Sequence, residues 1–197
     1  MFGRRRKSIA RGEQVYLFTP TKDVAEDYLM LTTSSRTFHQ PWVHPPIDLK
    51  HFKAYLDRLE NGYAHGYMVA CCSDESLVGV ININDPIMGG FRSASLGYYA
   101  GASQTGRGYM TEALALVLDQ AFTVMGFHRL EANIQPGNMA SLALVQRLGF
   151  RKEGFSPGFL RVGGVWRDHE RWALLAEEWL AANGSATPAG QHVSEVV

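Results

Sequence analysis

Leu96-Gly-Tyr-Tyr-Ala-Gly-Ala-Ser-Gln-Thr-Gly-Arg-Gly-Tyr-Met-Thr-Glu-Ala113 is the most informative segment of this 197-residue sequence. Its residues predict a strand, a short glycine-bearing loop and the start of a helix. Such a junction directs free backbone N–H groups and the positive end of a helix dipole at one point, where phosphate binds well. Glycine at positions 106 and 108 lets the backbone approach phosphate oxygens without a Cβ in the way. We therefore expect an anion-binding loop here.

Two common nucleotide motifs do not fit this loop. No Gly-Lys-Ser or Gly-Lys-Thr follows it, which excludes a P-loop. The run Gly106-x-Gly108-x-x-Thr111 lacks the third glycine and the preceding parallel strand of a dinucleotide site. A Gly-x-Gly before a helix is by itself more often a tight turn than a ligand site, so the rest of the sequence has to support the assignment.

Length and composition indicate one globular domain with a single core. The chain has 46% apolar and 19% charged residues, and no window approaches eighteen consecutive apolar residues, so we expect no membrane span. Cys71 and Cys72 are adjacent, which is too close for an ordinary disulfide, and no further cysteine could complete a zinc cluster. Because the amino terminus also lacks an apolar stretch, we expect a cytoplasmic protein.

The formal net charge is zero, which argues against nucleic acid as the main partner because phosphate binding needs a basic excess. The zero is the sum of unequal parts, namely +5 in residues 1–11, −4 in 12–105, +2 in 106–171 and −3 in the remainder. The mildly basic part around the loop suits an anionic cofactor. The mildly acidic part before it suits an ammonium group or a basic peptide.

The residues around the loop predict helices alternating with strands. The predicted order is helix, helix, three strands, helix, strand, helix and two strands, over Thr21–Leu31, Leu49–Leu59, Gly66–Cys72, Leu77–Asn84, Phe91–Ala100, Gly108–Gly126, Arg129–Gln135, Asn138–Leu148, Phe150–Phe155 and Gly164–Leu175. We expect these elements to form one domain over residues 13–180, with a solvated basic arm at 1–12 and a flexible tail at 181–197.

Two segments resemble the signatures of the GNAT superfamily of N-acetyltransferases. The family loop reads Gln/Arg-x-x-Gly-x-Gly/Ala, and Ser103-Gln-Thr-Gly-Arg-Gly108 matches both glycines with Ser at the first position. Asn138-Met-Ala-Ser141, with Leu148-Gly-Phe150, is similar to the second signature. Four further segments resemble the RimJ/RimL subgroup, the ribosomal-protein-alanine N-acetyltransferases, and these are Thr37–Trp42, Gly108–Ala113, Arg129–Asn138 and Trp166–Trp172.

The resemblance implies a GNAT fold, which is α/β with a central, mixed, mostly antiparallel sheet of about seven strands flanked by helices. In this fold the fourth and fifth strands splay apart, and here these are the predicted strands Phe91–Ala100 and Arg129–Gln135. The resemblance also implies acetyl-CoA as co-substrate, no metal, and acetyl transfer by direct attack of a primary amine on the thioester.

The implied cofactor site follows the splayed strand, the loop and the second signature. It comprises Gly97, Tyr98, Tyr99, Ala100, Gln104, Thr105, Gly106, Arg107, Gly108, Tyr109, Asn138 and Ser141. Backbone amides of the strand, that of Tyr98 among them, would take a catalytic part by holding the thioester carbonyl, with Gly97 easing a bulge. Ser141 is a second catalytic candidate, as donor to the leaving sulfur, with helix capping or a local back-bond as its structural alternative.

The general base is the least defined group. Glu131 is a candidate that could act through water, and its structural alternative is an ion pair with Arg129 or Arg171. Position 133, where some relatives carry a catalytic Glu, is Asn133 here, and the position that matches a loop Glu of ribosomal-protein relatives is Leu160.

The acceptor channel is expected beside the proline-rich loop that contains Trp42. His39 and Asn82 are the other residues expected to line it, and Trp42 would act chiefly as a packing anchor. His169 lies among charged residues without a second His or Cys at ligand spacing, so we expect it to pair with an adjacent carboxylate rather than with a metal.

Three functions remain open at this point. The first is acetylation of a protein N-terminal α-amine, a ribosomal protein included. The second is acetylation of a small amine, amino acid, polyamine or aminoglycoside, and the third is a non-catalytic CoA-binding or interaction domain. An α-amine titrates near 7.7–8.0, so roughly a tenth to a sixth is neutral at pH 7, against about one in 2,500 for lysine, which favours the first. We expect no membrane or specific nucleic-acid partner, and either a monomer or a homodimer.

Overall fold

The computed structural model describes residues 6–184, and their strands form an eight-stranded sheet. The strands are β1 (Ser8–Arg11), β2 (Val15–Phe18), β3 (Ala64–Cys71), β4 (Leu77–Ile87), β5 (Ser93–Ala100), β6 (Arg129–Ile134), β7 (Arg151–Val162) and β8 (Val165–Leu175). Their order is β1-β2-β3-β4-β5-β6-β8-β7, with every neighbouring pair antiparallel except β5 and β6. The predicted mixed, mostly antiparallel sheet is confirmed. The structure has two strands more than the six in the predicted order, namely β1, which lies within the predicted basic arm, and β2, with which it pairs.

The helices of the described residues flank this sheet. They are α1 (Ala25–Ser34), α2 (Arg36–His39), α3 (Leu49–Glu60), α4 (Tyr109–Asp119), α5 (Met139–Arg147) and α6 (Ala176–Ala182). The predicted start of α3 is confirmed, because the Asp48 side chain accepts the backbone N–H of His51 and caps the helix. The first helix starts later than the predicted Thr21, since the 3-10 turn Lys22–Val24 precedes α1 and the Thr21 side chain makes no capping bond.

Successive side chains of a strand point to opposite faces of the sheet, and this divides the core into two clusters, one on each face. On β2, Val15 and Leu17 pack in a cluster with α4, α5 and α6, whereas Tyr16 and Phe18 pack in a second cluster with α1 and α3. All four residues are buried, as expected for a strand covered on both faces.

Helix α4 is anchored by its apolar stripe. Ala113, Leu114, Val117 and Leu118 are fully buried against the sheet, which matches the predicted helical spacing. Because each large apolar side chain contributes about 1.5–3 kcal/mol when buried, this stripe fixes the helix and the glycine loop that precedes it.

Strands β5 and β6 separate halfway along their length. Their parallel ladder pairs Ser93 with Arg129 and ends where Leu96 pairs with Ala132, whereas β5 continues to Ala100 against β4 alone. The last four residues of β5 therefore have backbone groups with no strand partner on the β6 side. The predicted splay is confirmed.

Two basic residues of the predicted arm contact the fold, although Arg11 stays exposed. Arg6 forms an ion pair with Asp27 and donates to the Glu75 carbonyl at 2.8 Å. Arg11 lies over the Tyr16 ring at 4.6 Å from its centroid. The arm's first five residues lie outside the described part of the chain.

At the other end, α6 extends the fold slightly past the predicted boundary at residue 180 and ends at Ala182. The tail expected at 181–197 lies outside the described residues from 185 onward. Within residues 6–184, no helix is long and apolar enough to cross a bilayer.

Candidate active site

A cavity of about 380 Å³ opens where β5 and β6 separate, between α2, the glycine loop and the first turns of α4 and α5. Its walls are formed by Phe38, His39, Trp42, Val43, Tyr98, Tyr99, Ala100, Gln104, Thr105, Gly106, Gly108, Tyr109, Met110, Thr111, Asn138, Ala140, Ser141, Leu144 and Arg147. Ten of the twelve predicted cofactor residues are in this set, so the fold brings the loop, the strand and the second signature together.

The glycine loop, Ser103–Gly108, has a backbone conformation and an open space in front of it that suit a bound anion. Gly106 and Gly108 have φ of +76° and +81°, a region that favours glycine. An ideal Cβ on Gly106 would meet no protein atom within 4 Å, and one on Gly108 would meet only Gln14 Nε2, at 4.0 Å. Neither glycine is therefore explained by crowding inside the protein, and the space in front of them is available to a ligand.

Free amides follow this loop. Gly108 is the N-cap of α4, and its carbonyl accepts the N–H groups of Thr111 and Glu112 at 3.0 and 3.1 Å. The N–H groups of Tyr109 and Met110 have no acceptor within the helix, and both residues line the cavity. The helix dipole adds partial positive charge at this end, so the loop can hold a phosphate.

Ser141 faces the splayed strand across the cavity. Its hydroxyl is hydrogen-bonded to the Tyr98 hydroxyl at 2.6 Å, and burial raises the pKa of Tyr98 to about 12 despite this bond. Asn138, and not Ser141, caps α5, because its side-chain oxygen accepts the Ser141 N–H at 3.2 Å. The capping alternative for the Ser141 hydroxyl is thus not the arrangement found, and a pair of neutral hydroxyls faces the cavity.

The proline-rich loop is tied to the far wall. Gln135, which follows β6, donates from Nε2 to the carbonyls of Pro41 and Trp42 at 3.1 and 3.3 Å. An ideal Cβ on Gly137 would lie 3.2 Å from the Trp42 ring, so the ring packs closely on the segment that leads into α5. Trp42 thus lines the cavity and packs against the residues before α5.

His39 ends α2 and also lines the cavity. Its Nε2 lies 2.7 Å from the carbonyl oxygen of Ala100, and its ring meets the Tyr99 ring edge-on at a centroid distance of 5.4 Å. The Tyr99 hydroxyl is in turn hydrogen-bonded to the Tyr28 hydroxyl at 2.7 Å. His39 therefore docks directly on the unpaired half of β5.

Three predicted residues do not line the cavity. Gly97 lies on β5 in a regular ladder with β4, so the expected bulge is not formed. A Cβ there would lie 2.8 Å from Asn84 Nδ2, so a larger residue would require the Asn84 side chain to move. Arg107 points toward the Tyr109 ring instead, with its guanidinium carbon 6.0 Å from the ring centroid. Asn82 accepts the Tyr55 hydroxyl at 2.8 Å and so belongs to the aromatic cluster under α3.

Glu131 is also outside the cavity, in the ion-pair arrangement that was its structural alternative. Its carboxylate accepts from Arg129 Nε at 2.9 Å and from Arg171 Nη2 at 2.8 Å. Partial burial alone would raise the pKa of this carboxyl, but the two guanidinium hydrogen bonds outweigh it and lower the pKa. A carboxylate held in this way is a poor general base, and the structure does not bring Glu131 to the reacting groups.

His169 is buried on β8 but does not pair with a neighbouring carboxylate as expected. Its Nδ1 donates to the Arg167 carbonyl at 2.9 Å. Asp168 accepts the Gly158 N–H instead, and Glu170 pairs with Lys152. Among residues 6–184, no group of three or more His, Cys, Asp or Glu side chains could hold a metal ion.

Several cavity residues were not predicted as site residues, namely Phe38, Val43, Met110, Thr111, Ala140 and Leu144, and Arg147 was noted only for its charge. Periodicity could have identified part of this set, because Ala140, Leu144 and Arg147 share one face of α5 with Ser141 nearby. Arg147 Nη1 donates to Thr111 Oγ1 at 3.3 Å, which places a cation beside the glycine loop.

The splayed sheet, the glycine loop and the cavity between them define the class of protein as an N-acetyltransferase of the GNAT type. The family model described as "Acetyltransferase (GNAT) domain" matches residues 14–151. The chain belongs to this family.

Named relatives agree with this assignment. The chain is similar to the probable N-acetyltransferase YjcK of Bacillus subtilis (strain 168), at 31% identity over 173 residues, 84% of this chain and 96% of that protein. It is 34% identical over 154 residues to the ribosomal protein uS5-alanine N-acetyltransferase of Escherichia coli (strain K12), covering 74% and 79%. The solved structure of Mycobacterium smegmatis RimJ in complex with CoA-disulfide superimposes with a TM-score of 0.76 at 30% identity, covering 86% and 89%.

Proposed function

We propose that this chain transfers the acetyl group of acetyl-CoA to the N-terminal α-amine of a protein, with a ribosomal protein as the first acceptor to test. The observation that carries the proposal is the cavity at the separation of β5 and β6, which has the glycine loop on one wall and the Tyr98–Ser141 hydroxyl pair on another. The relatives named above include an enzyme for a ribosomal-protein alanine, which supports the choice of acceptor.

The residues present fit acetyl-CoA. The glycine loop and the first amides of α4 would hold the pyrophosphate, because they combine open space, free N–H groups and the helix dipole. The unpaired half of β5, Gly97–Ala100, would hold the pantetheine arm and the thioester carbonyl through its backbone amides. When bound, acetyl-CoA supplies an activated acetyl group as a thioester.

The acceptor must reach this group as a neutral amine. An α-amine has a pKa near 7.7–8.0, so roughly a tenth of it is already neutral at pH 7, and an N-terminal acceptor asks little of a base. The Tyr98–Ser141 pair, which lines the cavity, would stabilise the departing sulfur by hydrogen bonding. A thiol pKa near 8.5 means that the thiolate leaves without full protonation, so we expect this contribution to be modest.

The charge pattern is compatible with this division of the site. The loop wall carries Arg147 beside the anion site, and the chain segment before the loop has the acidic excess that an ammonium group favours. Both cysteines of the chain are free thiols, and we propose a cytoplasmic location on that basis.

The experiment that tests the proposal follows free thiol release from acetyl-CoA by the purified full-length chain. Peptides that begin with Ala, Ser or Met are compared with the same peptides carrying a blocked N-terminus and with a panel of small amines. We expect release with the free peptides and none with the blocked ones. Release with small amines alone would contradict the acceptor, and tight CoA binding without turnover on any amine would contradict the enzyme.

A further inference from the structure

A second cavity, of about 490 Å³, lies on the other side of His39. His39 and Val43 line both cavities, so these two side chains form the partition between them. Pro45, Pro46 and Ile47 give the second cavity a largely apolar wall, and the charged or titratable residues on its walls, besides His39, are Arg36, His44, Asp48 and His51. A chain that entered the second cavity would meet His39 before it reached the splayed strand.

The imidazole of His39 is held in one tautomer. A carbonyl oxygen can only accept, so the 2.7 Å contact between Nε2 and Ala100 places the ring proton on Nε2. The other nitrogen, Nδ1, then carries a lone pair. Burial lowers the pKa of this ring, despite the opposing effect of the Ala100 carbonyl, so His39 is neutral at neutral pH.

That lone pair has no donor within residues 6–184. His39 is 3% exposed, and its Nδ1 is a buried nitrogen without a hydrogen-bond partner in this part of the chain. The neighbouring Tyr99 meets the ring by an edge contact and shares its hydroxyl with Tyr28. A buried acceptor without a donor is destabilising, and a catalytic role is one of the explanations for such a group.

We propose that His39 is the general base of the acetyl transfer and that the acceptor amine approaches it through the second cavity. This proposal rests on the proposed function. As the amine nitrogen forms the C–N bond to the acetyl carbon, the C–S bond breaks, the sulfur leaves as thiolate, and the proton lost by the nitrogen moves to Nδ1. The imidazolium then releases this proton to solvent, which restores the starting state.

The position of His39 suits this role, because it is bonded to Ala100 at the end of the strand segment that would hold the thioester. The groups that face the ring from the packed elements are Tyr99 on β5 and, across the second cavity, Arg36, His44 and the Asp48–His51 pair. Burial holds the pKa of Tyr99 well above its ordinary value, so this neighbour stays uncharged. Hydrogen bonds from the His51 backbone and ring lower the pKa of Asp48, so a carboxylate lies on the approach path of the ammonium form of the acceptor.

The test uses His39→Gln, since the Gln amide can still donate to the Ala100 carbonyl but offers no basic nitrogen. His169→Gln is the matched control, because His169 is equally buried and lines neither cavity. Acetyl-CoA affinity is measured by calorimetry, and kcat/KM for an alanine peptide is measured from pH 5 to 9. We expect H39Q to bind acetyl-CoA within twofold of wild type and to lose at least 100-fold in kcat/KM, with H169Q near wild type.

The pH profile separates a base from a structural residue. In wild type both the amine and His39 must lose a proton, so the acid limb of log kcat/KM approaches a slope of two, and in H39Q it falls to one. A second measurement needs no variant to fold: the Nδ1 resonance of ¹⁵N-histidine-labelled enzyme should move when CoA and the peptide bind together.

If H39Q keeps the wild-type kcat/KM and the wild-type slope of the acid limb, the role of His39 is overturned and the proposed function is not. An Nδ1 resonance that does not move in the saturated complex would have the same consequence. A wild-type enzyme without turnover on any amine would instead overturn the proposed function, and the assignment of His39 with it.

Discussion

Gly106 and Gly62 share a backbone conformation and differ in what lies in front of them. Both have φ of +76°, and an ideal Cβ on either would meet no protein atom within 4 Å. Alanine at each position should therefore cost the same folding free energy, about 1 kcal/mol, because an L-residue is strained in the left-handed region. Only Gly106 lines the cavity.

Gly106→Ala should consequently weaken CoA binding at least tenfold, because the new methyl group occupies space intended for the pyrophosphate. Gly62→Ala should leave the affinity unchanged. Calorimetric titration with CoA and urea unfolding of both variants check this. If the two variants bind CoA with equal affinity at an equal loss of stability, the assignment of the pyrophosphate to the glycine loop is wrong.

The carboxylate of Glu131 should contribute to stability and not to the acetylation rate. Glu131→Gln keeps the shape of the side chain but loses the charge that pairs with Arg129 and Arg171. We expect a loss of about 1 kcal/mol or less in the free energy of unfolding, as for other partly exposed ion pairs, and a kcat within about twofold of wild type.

Glu153→Gln is the matched control for this change, since Glu153 pairs with the same Arg129 from the adjacent hairpin and lies equally outside the cavity. A general base at position 131 would instead give a rate loss of about 100-fold or more for E131Q alone. Rates of thiol release for both variants at saturating acetyl-CoA decide between these outcomes.

At the level of elements, the site depends on how loops are tied to the sheet. Glu112 in the first turns of α4 accepts the N–H groups of Gln14 and Val15 at 2.9 and 3.4 Å, which fastens the start of this helix to β2. Gln135 fastens the proline-rich loop in the same way through two carbonyls. The cavity therefore has walls from distant parts of the chain that are held by a few side-chain to backbone bonds.

This explains which parts of the molecule could be predicted from the sequence. Helices α3 and α4 were predictable because their spacing and caps are local, and the glycine loop because it follows directly on a strand. The bond between His39 and Ala100 joins residues 61 apart, and that between Tyr98 and Ser141 joins residues 43 apart, so no local pattern reveals either. Strand β1 was missed because it lies in a segment whose many basic residues suggest solvent, whereas its pairing depends on β2.

The whole molecule is neutral because its 19 basic and 19 acidic residues balance, and some of these residues pair within the fold. The docking of Arg6 on Asp27 shows that part of the positive excess at the amino end is used within the fold and does not form a free arm. Arg129, Arg151 and Glu153 form a similar network on the far side of the sheet from the glycine-loop helix. A net charge of zero is thus compatible with a cation, Arg147, beside the glycine loop and a carboxylate, Asp48, in the second cavity.

Stability of the whole domain should depend on pH in two separate windows. Burial lowers the pKa of His39 and of His169, so each binds its proton more weakly in the folded chain than near the ordinary value of 6.5. For each histidine, the unfolded chain binds more protons than the folded chain between the unfolded-state pKa near 6.5 and the lower folded-state pKa. The stability contributed by the neutral imidazole is therefore fully present above about pH 7 and is lost as the pH falls from 6.5 toward the folded-state pKa.

The carboxyls act in a lower window. In Glu153 the hydrogen bond from Arg129 is the main cause of a lowered pKa, and in Glu131 the guanidinium bonds outweigh burial, so their stabilisation is lost only as the pH falls below about 4.5.

Urea unfolding between pH 5 and 8 therefore tests the histidines alone. The free energy of unfolding should rise with pH in this range, and the slope of this rise should be reduced by H39Q and by H169Q and nearly abolished in the double variant. A slope unchanged in the double variant would show that neither buried imidazole has a lowered pKa in the folded protein.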